Sequence, residues 1–207
     1  MKILNLYAGI GGNRKLWKDV DVTAVELNPD IAKIYQDFFP DDKMIVGDAH
    51  QYLLDHFKEY DFIWSSPPCP THSRMNFLLQ NKPKFKQRFP DMKLYEEIIF
   101  LGRWFKGKYI VENVRSYYKP LIQPQEIQSH YFWSNFRIPD TEKAREKVSN
   151  DKGMTLAVKM EQQGMFIKNF YNYSGDKRTL LNNMIEPELG LHILEASKKN
   201  LYQELFK

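Results

Sequence analysis

Residues 2–12, KILNLYAGIGG, decide the fold because they join a short apolar run to a glycine-rich turn. Such a run, closed by glycines, is typical of a β-strand that leads into a tight turn. Glycines let a ligand approach the backbone, and the N-terminus of a following helix adds a positive dipole. The spacing Gly9-x-Gly11-Gly12 differs from the dinucleotide pattern G-x-G-x-x-G, which makes a pyrophosphate ligand the weaker interpretation.

From this turn to residue 114, strand patterns alternate with helix patterns. Apolar and β-branched runs predict further strands over residues 22–26, 43–47, 60–65 and 108–114. Helical spacing, with caps and terminating prolines or glycines, predicts helices through Leu16 and Trp17, from Asn28 to Pro40, over 49–57 and from Asp91 to Gly107. Alternation of this kind implies parallel strands joined by right-handed crossovers, and therefore an open α/β sheet.

Two parts of the chain depart from this alternation. Residues 74–90 hold two prolines, five positive charges and no acid, and we expect an exposed, mobile loop there. Beyond residue 114 the pattern weakens. The predictions for this part are a strand over 130–138, a short charged helix over 140–148, an irregular segment over 150–175 and a final amphipathic helix over 187–206.

The composition is that of a globular protein with one domain, or one domain and a small appendage. Of 207 residues, 43% are hydrophobic and 27% are charged. The 30 basic and 26 acidic residues give a net charge of +4, which fits a polyanionic partner without identifying one. A single cysteine allows no intramolecular disulfide, and no apolar run is long enough to span a bilayer, so we expect a cytoplasmic protein with no membrane partner.

Two acids stand where the second and third predicted strands end. Glu26 ends the second strand and could accept hydrogen bonds from ribose hydroxyls, and Asp48 ends the third and could accept one from an adenine amino group. Each acid alone could simply cap a helix. Because ligands of open α/β sheets bind at the carboxyl ends of the strands, the turn and the two acids together favour a nucleoside-bearing cofactor.

The only cysteine and a third acid follow the next two strands. Cys69 lies in Ser65-Ser66-Pro67-Pro68-Cys69-Pro70, a turn stiffened by three prolines. Most lone cysteines are small buried hydrophobes, but this one is in a turn at the predicted ligand edge. Glu112 lies inside the apolar strand YIVENV, where an acid needs a partner or a raised pKa; such burial is typical of catalytic carboxylates and also of structural ion pairs.

Six segments, in this order, resemble the motifs of the cytosine-C5 DNA methyltransferase family. They are residues 4–12 (LNLYAGIGG), 25–28 (VELN), 47–49 (GDA), 67–69 (PPC) with Ser73, 111–114 (VENV) and 178–187 (RTLLNNMIEP). The match is good over residues 3–114 and looser over 178–194. The resemblance implies a Rossmann-like S-adenosylmethionine-dependent methyltransferase fold, with helices on both faces of a mostly parallel, twisted sheet and a small C-terminal appendage.

By this resemblance, the Cys69 thiolate attacks C6 of a flipped cytosine, and its reactivity depends on a lowered thiol pKa. Glu112 then binds ring N3 and the exocyclic amine, while C5 takes the methyl group of S-adenosylmethionine and leaves S-adenosylhomocysteine. Flipping the base costs roughly a few kcal/mol. We expect no metal site. The residues matched to cofactor contacts are Tyr7, Ala8, Gly9, Ile10, Gly12, Glu26, Leu27, Asp48, Ala49, Pro68 and Asn183.

The expected substrate is double-stranded DNA, held beside the nucleophile by the basic loop. Arginines and lysines in such a loop contact phosphates, although a solvated surface loop has the same composition. The residues that we assign to substrate binding are Ser73, Arg74, Lys82, Lys84, Lys86, Asn113, His130 and Arg137.

Four features depart from the family pattern. Asn5 stands where the first motif usually has Asp, Pro70 replaces a Gln, and Asn182 replaces a glycine of the last motif. The largest departure lies between residues 115 and 177, where the family's Q-x-R-x-R strand, with its arginine contact to cytosine O2, has no counterpart. His130 or Arg137 could substitute, although this segment could equally be a core strand.

The resemblance divides the chain into a catalytic and cofactor-binding domain (1–138), a reduced target-recognition insert (139–177) and a C-terminal segment (178–207) that returns to the catalytic domain. So small an insert predicts a short or relaxed target sequence, or recognition helped by a protein partner. We expect a monomer, associated with the nucleoid of a bacterial or phage-infected cell. Self-protection of a viral genome and restriction-modification are both compatible with the sequence.

Three alternatives stay open at this point. The first is a tRNA cytosine-C5 methyltransferase of the same fold, which a small recognition region would permit. The second is a catalytically weak protein that binds S-adenosylmethionine or DNA and needs a partner. The third is a nucleotide-binding oxidoreductase, which the glycine spacing disfavours and in which Pro67-Pro68-Cys69 has no role.

Overall fold

The structure is a computed structural model that describes residues 1–79, 82, 86, 88–140 and 155–199. Over these residues the strands are β1 Lys2–Leu6, β2 Asp21–Glu26, β3 Lys43–Val46, β4 Phe62–Ser65, β5 Lys108–Val114, β6 Gln125–Ile127 and β7 His130–Ser134. The α-helices are α1 Pro29–Phe38, α2 Ala49–His56, α3 Arg74–Leu78, α4 Lys93–Trp104, α5 Leu156–Gln163, α6 Lys177–Asn182 and α7 Pro187–Lys198. The strands form one sheet in the order β3-β2-β1-β4-β5-β7-β6.

The first five strands of the chain are parallel, which confirms the predicted α/β class. β1 lies at the centre and pairs with β2 and β4, while β3 and β5 pair outside them. Side chains alternate across β1: Ile3 packs in the core that includes residues of α7, and Leu4 and Leu6 pack in the core formed with α2 and α4. Helices therefore cover both faces, and the carboxyl ends of the parallel strands share one edge.

The last two strands reverse direction. β7 pairs antiparallel with β5, and β6 pairs antiparallel with β7. In this register His130 lies opposite Val114, so the start of β7 reaches the edge where the parallel strands end. β7 covers residues 130–134 and is therefore shorter than the strand predicted over 130–138. β6 was not predicted because it has only three residues, two of them polar, which carry no periodic signal.

Several local predictions differ from the structure. Residues around Leu16 and Trp17 form consecutive turns instead of a helix, with i-to-i+3 bonds such as Arg14 N–H to the Gly11 carbonyl. Part of the predicted loop is helical, since α3 begins where the Ser73 hydroxyl accepts the Met75 amide. The segment predicted to be irregular contains α5.

α5 has ordinary end signals that account for it. The Thr155 hydroxyl accepts the Val158 amide at the start, and Gly164 ends the helix with a left-handed φ of 60°. The helix predicted over 140–148 lies outside the described residues except for Asp140, and so do residues 200–206 of the predicted last helix. Along the described stretches, no helix is both long and apolar enough to cross a bilayer.

The glycine turn and the last helix are in direct backbone contact. A Cβ atom on Gly190 of α7 would lie 2.3 Å from the Asn13 carbonyl oxygen, and one on Gly12 would lie 2.5 Å from the Ile185 carbonyl oxygen. The Trp17 indole also donates to the Gly190 carbonyl at 3.1 Å. Only glycine permits so close an approach, so these residues fix α7 against the turn that follows β1.

Replacing Gly190 with alanine is expected to lower the free energy of unfolding by about 1–2 kcal/mol. The clash with a rigid backbone costs more than the gain in helix propensity, which is about 1 kcal/mol. Urea unfolding measures the difference. The matched control is Gly47→Ala, where the new Cβ would meet Ile45 at 4.0 Å, and equal midpoints for the two variants would contradict the packing argument.

Candidate active site

Two adjoining cavities open at the carboxyl edge of the parallel strands. The thiol cavity, of about 320 Å³, contains Cys69, Glu112 and His130 in its wall. The Asp48 cavity, of about 350 Å³, contains Leu27, Asp48 and Ala49. The residues that line both cavities, and so form the boundary between them, are Tyr7, Glu26, Pro67 and Pro68. The two cavities together make one cleft along the sheet edge.

The glycine turn forms the floor of the thiol cavity, and its two positive-φ glycines differ in function. Gly11, with a φ of 82°, is pressed against Phe39 and Tyr35, and a Cβ atom there would lie 2.3 Å from the Phe39 ring. Gly9, with a φ of 54°, has nothing within 4 Å of the position that a Cβ would take. Gly11 is therefore needed for packing, whereas Gly9 leaves room for a ligand against the backbone.

Glu26 is held by two backbone amides at the end of β2. One carboxylate oxygen accepts from Gly9 N–H at 3.0 Å, and the other accepts from Asn28 N–H at 2.9 Å. The Asn28 side chain in turn caps α1. This arrangement fixes the carboxylate at the boundary between the two cavities, where further oxygen lone pairs can accept from a ligand hydroxyl.

Asp48 both caps a helix and lines its cavity. Its carboxylate accepts the Gln51 amide at 3.1 Å at the start of α2. Hydrogen bonds from the backbone amides, that of Gln51 foremost, lower the pKa of Asp48, so the group is an ionised acceptor at neutral pH. The two roles proposed from the sequence, helix cap and ligand acceptor, are thus compatible in one residue.

The turn that carries Cys69 is braced from both sides. The Cys69 carbonyl accepts the amides of His72 and Ser73, each at 3.0 Å. The Asn113 amide group donates to the Pro67 carbonyl at 3.0 Å, and Asn113 is only 1% exposed. Asn113 was predicted to bind substrate, but the structure makes it a brace for the cysteine turn, because its side chain is committed to that backbone and does not line the cavity.

Cys69 and Glu112 line the same cavity, which is the geometry that their proposed chemistry requires. Burial of the thiol, followed by the charge of Glu112, raises the pKa of Cys69. The sequence-based expectation of a lowered thiol pKa is therefore wrong for this environment. A carboxylate beside a half-buried thiol disfavours the thiolate, so a substrate that neutralises or engages Glu112 would also ease ionisation of Cys69.

His130 is the partner of Glu112. Its Nδ1 lies 2.8 Å from Glu112 Oε1, and Glu112 is 7% exposed. The antiparallel register of β7 brings this imidazole to the thiol cavity. Arg137, the other residue predicted for this place, is exposed and lies beyond the far end of β7, because β7 runs away from the ligand edge. The structure therefore separates Arg137 from the cavity.

The C-terminal segment also lines the thiol cavity. Asn183 and Asn182 both line it at the end of α6. Asn182, which stands in the place of a glycine, accepts a hydrogen bond from the buried Lys159 of α5 at 2.5 Å. Asn5, the other unusual residue, accepts from Asn13 at 2.9 Å, so both departures are built into local contacts.

Of the residues predicted to hold DNA, His130 lines the thiol cavity, whereas Ser73, Arg74 and the described lysines line neither cavity. Arg74, Lys82 and Lys86 are exposed, and Lys84 lies outside the described residues. Ser73 pairs with Ser116 in an isolated bridge, and its hydroxyl is engaged by the Met75 amide. These positions leave the lysines and the arginine available to a large ligand, whereas Ser73 supports the start of α3.

Sequence reasoning missed Glu97 and His50. Glu97 is fully buried in α4 and accepts hydrogen bonds from Tyr7 and Ser65, and its carboxylate also contacts His50. The available signal was an acid on the apolar face of a helix, beside Leu94 and Ile98. That signal marks a buried carboxylate, but its partners come from the turn after β1, from α2 and from β4, and they have no local pattern.

Comparison with known proteins identifies the family of this chain. The family model for C-5 cytosine-specific DNA methylases matches residues 1–120, which include the glycine turn, the cysteine turn and all five parallel strands. The chain belongs to this family. The match confirms the sequence-based recognition and leaves the oxidoreductase alternative without support. It also identifies S-adenosylmethionine as the methyl donor, as expected.

A curated relative is the tRNA (cytosine(38)-C(5))-methyltransferase of Spodoptera frugiperda. It is 33% identical over 91 residues, which cover 40% of this chain and 27% of that protein. This chain thus matches about a quarter of the relative's length. Two solved structures are similar: a mutant of Spodoptera frugiperda DNMT2, at 26% identity and a TM-score of 0.38, and a putative methyltransferase yhhF from Escherichia coli, at 12% identity and a TM-score of 0.43.

The overlap with these two structures is partial. The DNMT2 structure is matched over 55% of this chain and 35% of that chain, and the Escherichia coli structure over 64% of this chain and 73% of that chain. At these TM-scores the two structures add nothing to the family assignment, which depends on the match over residues 1–120.

The residues present fit S-adenosylmethionine. The open space over Gly9 admits a ligand against the backbone, and the fixed Glu26 carboxylate is at the right edge to accept from ribose hydroxyls. The Asp48 cavity offers an ionised acceptor next to the apolar side chains of Leu27 and Pro68, which suits an adenine ring. The remaining matched residues, Ala8, Ile10, Gly12 and Asn183, line the thiol cavity, and Ala49 lines the Asp48 cavity.

The pKa of the thiol predicts how Cys69 reacts with iodoacetamide. The rate should rise with pH through the region above the ordinary thiol value, because only the thiolate is alkylated. Glu112→Gln removes the charge that helps to raise the pKa of Cys69, so it should speed alkylation at a fixed pH below that region. Mass spectrometry follows the reaction cleanly, since the chain has one cysteine.

The matched control for this experiment is Glu96→Gln. Glu96 is an exposed acid of α4 whose side chain is 57% accessible, and its replacement should leave the alkylation rate unchanged. A Glu112→Gln variant that reacts no faster than the control would show that the carboxylate does not act on the thiol.

Proposed function

We propose that this protein transfers a methyl group from S-adenosylmethionine to C5 of a flipped cytosine in DNA, through a covalent adduct on Cys69. The observation that carries the proposal is the placement of Cys69 and Glu112 in one cavity, directly beside the cavity that holds Asp48, with Glu26 at their boundary. A nucleophile and an acid for the base thus face a site suited to the nucleoside of the donor.

The chemistry assigns one task to each residue. The Cys69 thiolate adds to C6 of cytosine, and the electron pair of the C5–C6 double bond moves to C5. S-adenosylmethionine supplies an electrophilic methyl group, which C5 takes. Loss of the C5 proton and breakage of the C6–S bond restore the aromatic ring and free Cys69. Glu112 holds N3 and the exocyclic amine while charge develops on the ring.

His130 is proposed as the third contact to the base. Its imidazole is fixed by the 2.8 Å hydrogen bond to Glu112 and lines the same cavity. No arginine pair exists near this position in the sequence, and the structure leaves Arg137 away from the cavity. His130 therefore takes the place in which the family uses an arginine for cytosine O2, and it also orients the Glu112 carboxylate.

Double-stranded DNA is the proposed substrate, and tRNA is the alternative that a specific finding favours. The family is described as acting on DNA, whereas the curated relative is a tRNA methyltransferase. The exposed cations Arg74, Lys82 and Lys86 follow the cysteine turn and suit the phosphates of either polymer. The insert over 139–177 is proposed to recognise a short or relaxed target, with or without a protein partner, on a monomeric enzyme.

Mechanism-based trapping tests the function. A DNA duplex with 5-fluorocytosine cannot lose a proton from C5, so in the presence of S-adenosylmethionine it should form a denaturant-stable complex with the protein. Cys69→Ser should abolish the complex. A 5-fluorocytosine-containing tRNA in a parallel reaction should form none. Trapping on the tRNA alone would establish the alternative substrate, and trapping on neither would contradict the covalent mechanism.

The basic segment predicts a salt-dependent contribution to DNA binding. Replacing Lys82, Lys84 and Lys86 with glutamine should weaken DNA binding. The slope of log affinity against log salt concentration should also become shallower, by about 0.9 for each phosphate that the variant no longer neutralises. Fluorescence anisotropy on a labelled duplex between low and moderate salt measures both. Replacing Lys2, Lys198 and Lys199, which line neither cavity of the cleft, gives a charge-matched control. Affinity unchanged at low salt in the first variant would refute this role of the lysines.

A further inference from the structure

Glu97 is a buried carboxylate for which the reaction gives no direct use. Its exposed fraction is 0%, and Leu94, Ile98 and Leu101 of the same helix belong to the apolar core around it. Moving a carboxylate from water into such surroundings is strongly unfavourable unless hydrogen bonds replace its hydration. A helix that only packed against the sheet would carry an apolar side chain at this position.

Three side chains replace the hydration of this carboxylate. Glu97 Oε1 accepts from the Tyr7 hydroxyl at 2.6 Å and lies 3.0 Å from His50 Nδ1, and Oε2 accepts from the Ser65 hydroxyl at 2.5 Å. Burial and the neighbouring Glu97 charge raise the pKa of Tyr7, so its hydroxyl stays a donor. The hydrogen bond to Glu97 raises the pKa of His50, which favours a charged imidazole beside the carboxylate.

These three donors belong to three different segments at the carboxyl edge of the sheet. Tyr7 follows β1 and lines both cavities, and His50 lines the Asp48 cavity within α2. Ser65 ends β4 directly before the turn that carries Cys69. Through these contacts Glu97 links the glycine turn, the helix capped by Asp48 and the strand that leads into the cysteine turn. Glu97 itself lines neither cavity.

Tyr7 depends most on this contact. Its backbone φ is 55°, a left-handed conformation that is unfavourable for a non-glycine residue and persists only where the surroundings hold it. The conformation aims the ring at the boundary between the two cavities, and the 2.6 Å hydrogen bond to Glu97 fixes the far end of the side chain. The Tyr7 side chain is therefore part of the surface that the donor nucleoside would meet.

We propose that Glu97 is a positioning residue for S-adenosylmethionine: it holds Tyr7, and with it the boundary between the two cavities, in the conformation that binds the donor. This inference rests on the proposed function, because it assigns the donor to that boundary. It adds a residue on α4, behind the cleft, that sets cofactor affinity without contact to the cofactor or to the base.

The test compares affinities for S-adenosylhomocysteine by isothermal titration calorimetry on the full chain. Tyr7→Phe keeps the ring and removes the hydroxyl, and Glu97→Gln keeps the shape and removes the charge. Each should weaken binding by about tenfold, the size of one charge-assisted hydrogen bond. In steady-state assays the KM for S-adenosylmethionine should rise by a similar factor, while kcat at saturation stays within about twofold.

A double-mutant cycle separates positioning from general stability. If Glu97 acts through Tyr7, the double variant should bind S-adenosylhomocysteine no more than about twofold more weakly than Glu97→Gln alone. Glu96→Gln is the matched control, since this neighbouring acid is exposed and lies 3.5 Å from His50 Nε2. It should bind within about twofold of the unmodified protein, as one exposed charge contributes little.

Each outcome is informative. Tyr7→Phe and Glu97→Gln proteins that are less stable to heat but keep the original affinity would overturn the proposal and leave Glu97 a structural residue. Independent, multiplying effects of the two changes would also overturn it. If Glu97→Gln fails to fold, the single variants Tyr7→Phe and Ser65→Ala still test the proposal, because each removes one hydroxyl that donates to Glu97. Unchanged affinity for S-adenosylhomocysteine in both would overturn it. An unmodified protein that does not bind S-adenosylhomocysteine would instead refute the proposed function itself.

Discussion

The parallel pairing of β1 with β2 and β4 is the constraint on which the rest of this molecule depends. Its register sets Leu6 beside Val25 and Ser65, so the three segments that follow leave the sheet side by side. β5 joins the same edge through the pairing of Ser65 with Val111. A slip of one residue would turn Glu112 to the other face of the sheet, and the cleft would lose its acid.

Around this edge, hydrogen bonds hold one partly buried carboxylate and two buried ones in place. Glu26 is held by backbone amides, Glu112 by an imidazole and Glu97 by two hydroxyls and an imidazole. Low local polarity strengthens such bonds and penalises any group left without one. The carboxylates are therefore fixed in direction, which lets a cleft made of short turns keep a defined shape.

The sequence predicted the features that have a local signal. The apolar runs identified the five parallel strands, and the positions of Glu26, Asp48, Cys69 and Glu112 at strand ends located the cleft, because parallel strands share an edge. What it could not predict depends on contacts distant in sequence. The pairing of His130 with Glu112 requires the antiparallel register of β7, which residues 125–134 alone do not specify.

The sequence also did not reveal the electrostatic environment of Cys69. The pKa of the Cys69 thiol was expected to be lowered, but burial and the charge of Glu112 raise it. The positions of residues 69 and 112 in the sequence reveal neither the burial of the thiol nor its distance from Glu112. Asn113 followed the same rule: its place in the VENV segment suggested a ligand contact, while its side chain braces the Pro67 carbonyl. The positions of the motifs locate a site in the sequence, but the tertiary contacts decide which motif residues face the cavity and which support it.

The contact between the glycine turn and α7 has a consequence for how the protein reaches its native state. Trp17 and Gly190 are 173 residues apart in the chain, yet they meet at the turn beneath the cleft. Contacts between such distant residues carry a large entropy cost of loop closure, which slows folding. The glycine turn should therefore acquire its final shape late, in the same cooperative step that docks α7, and a ligand that needs this turn would bind only after α7 is in place.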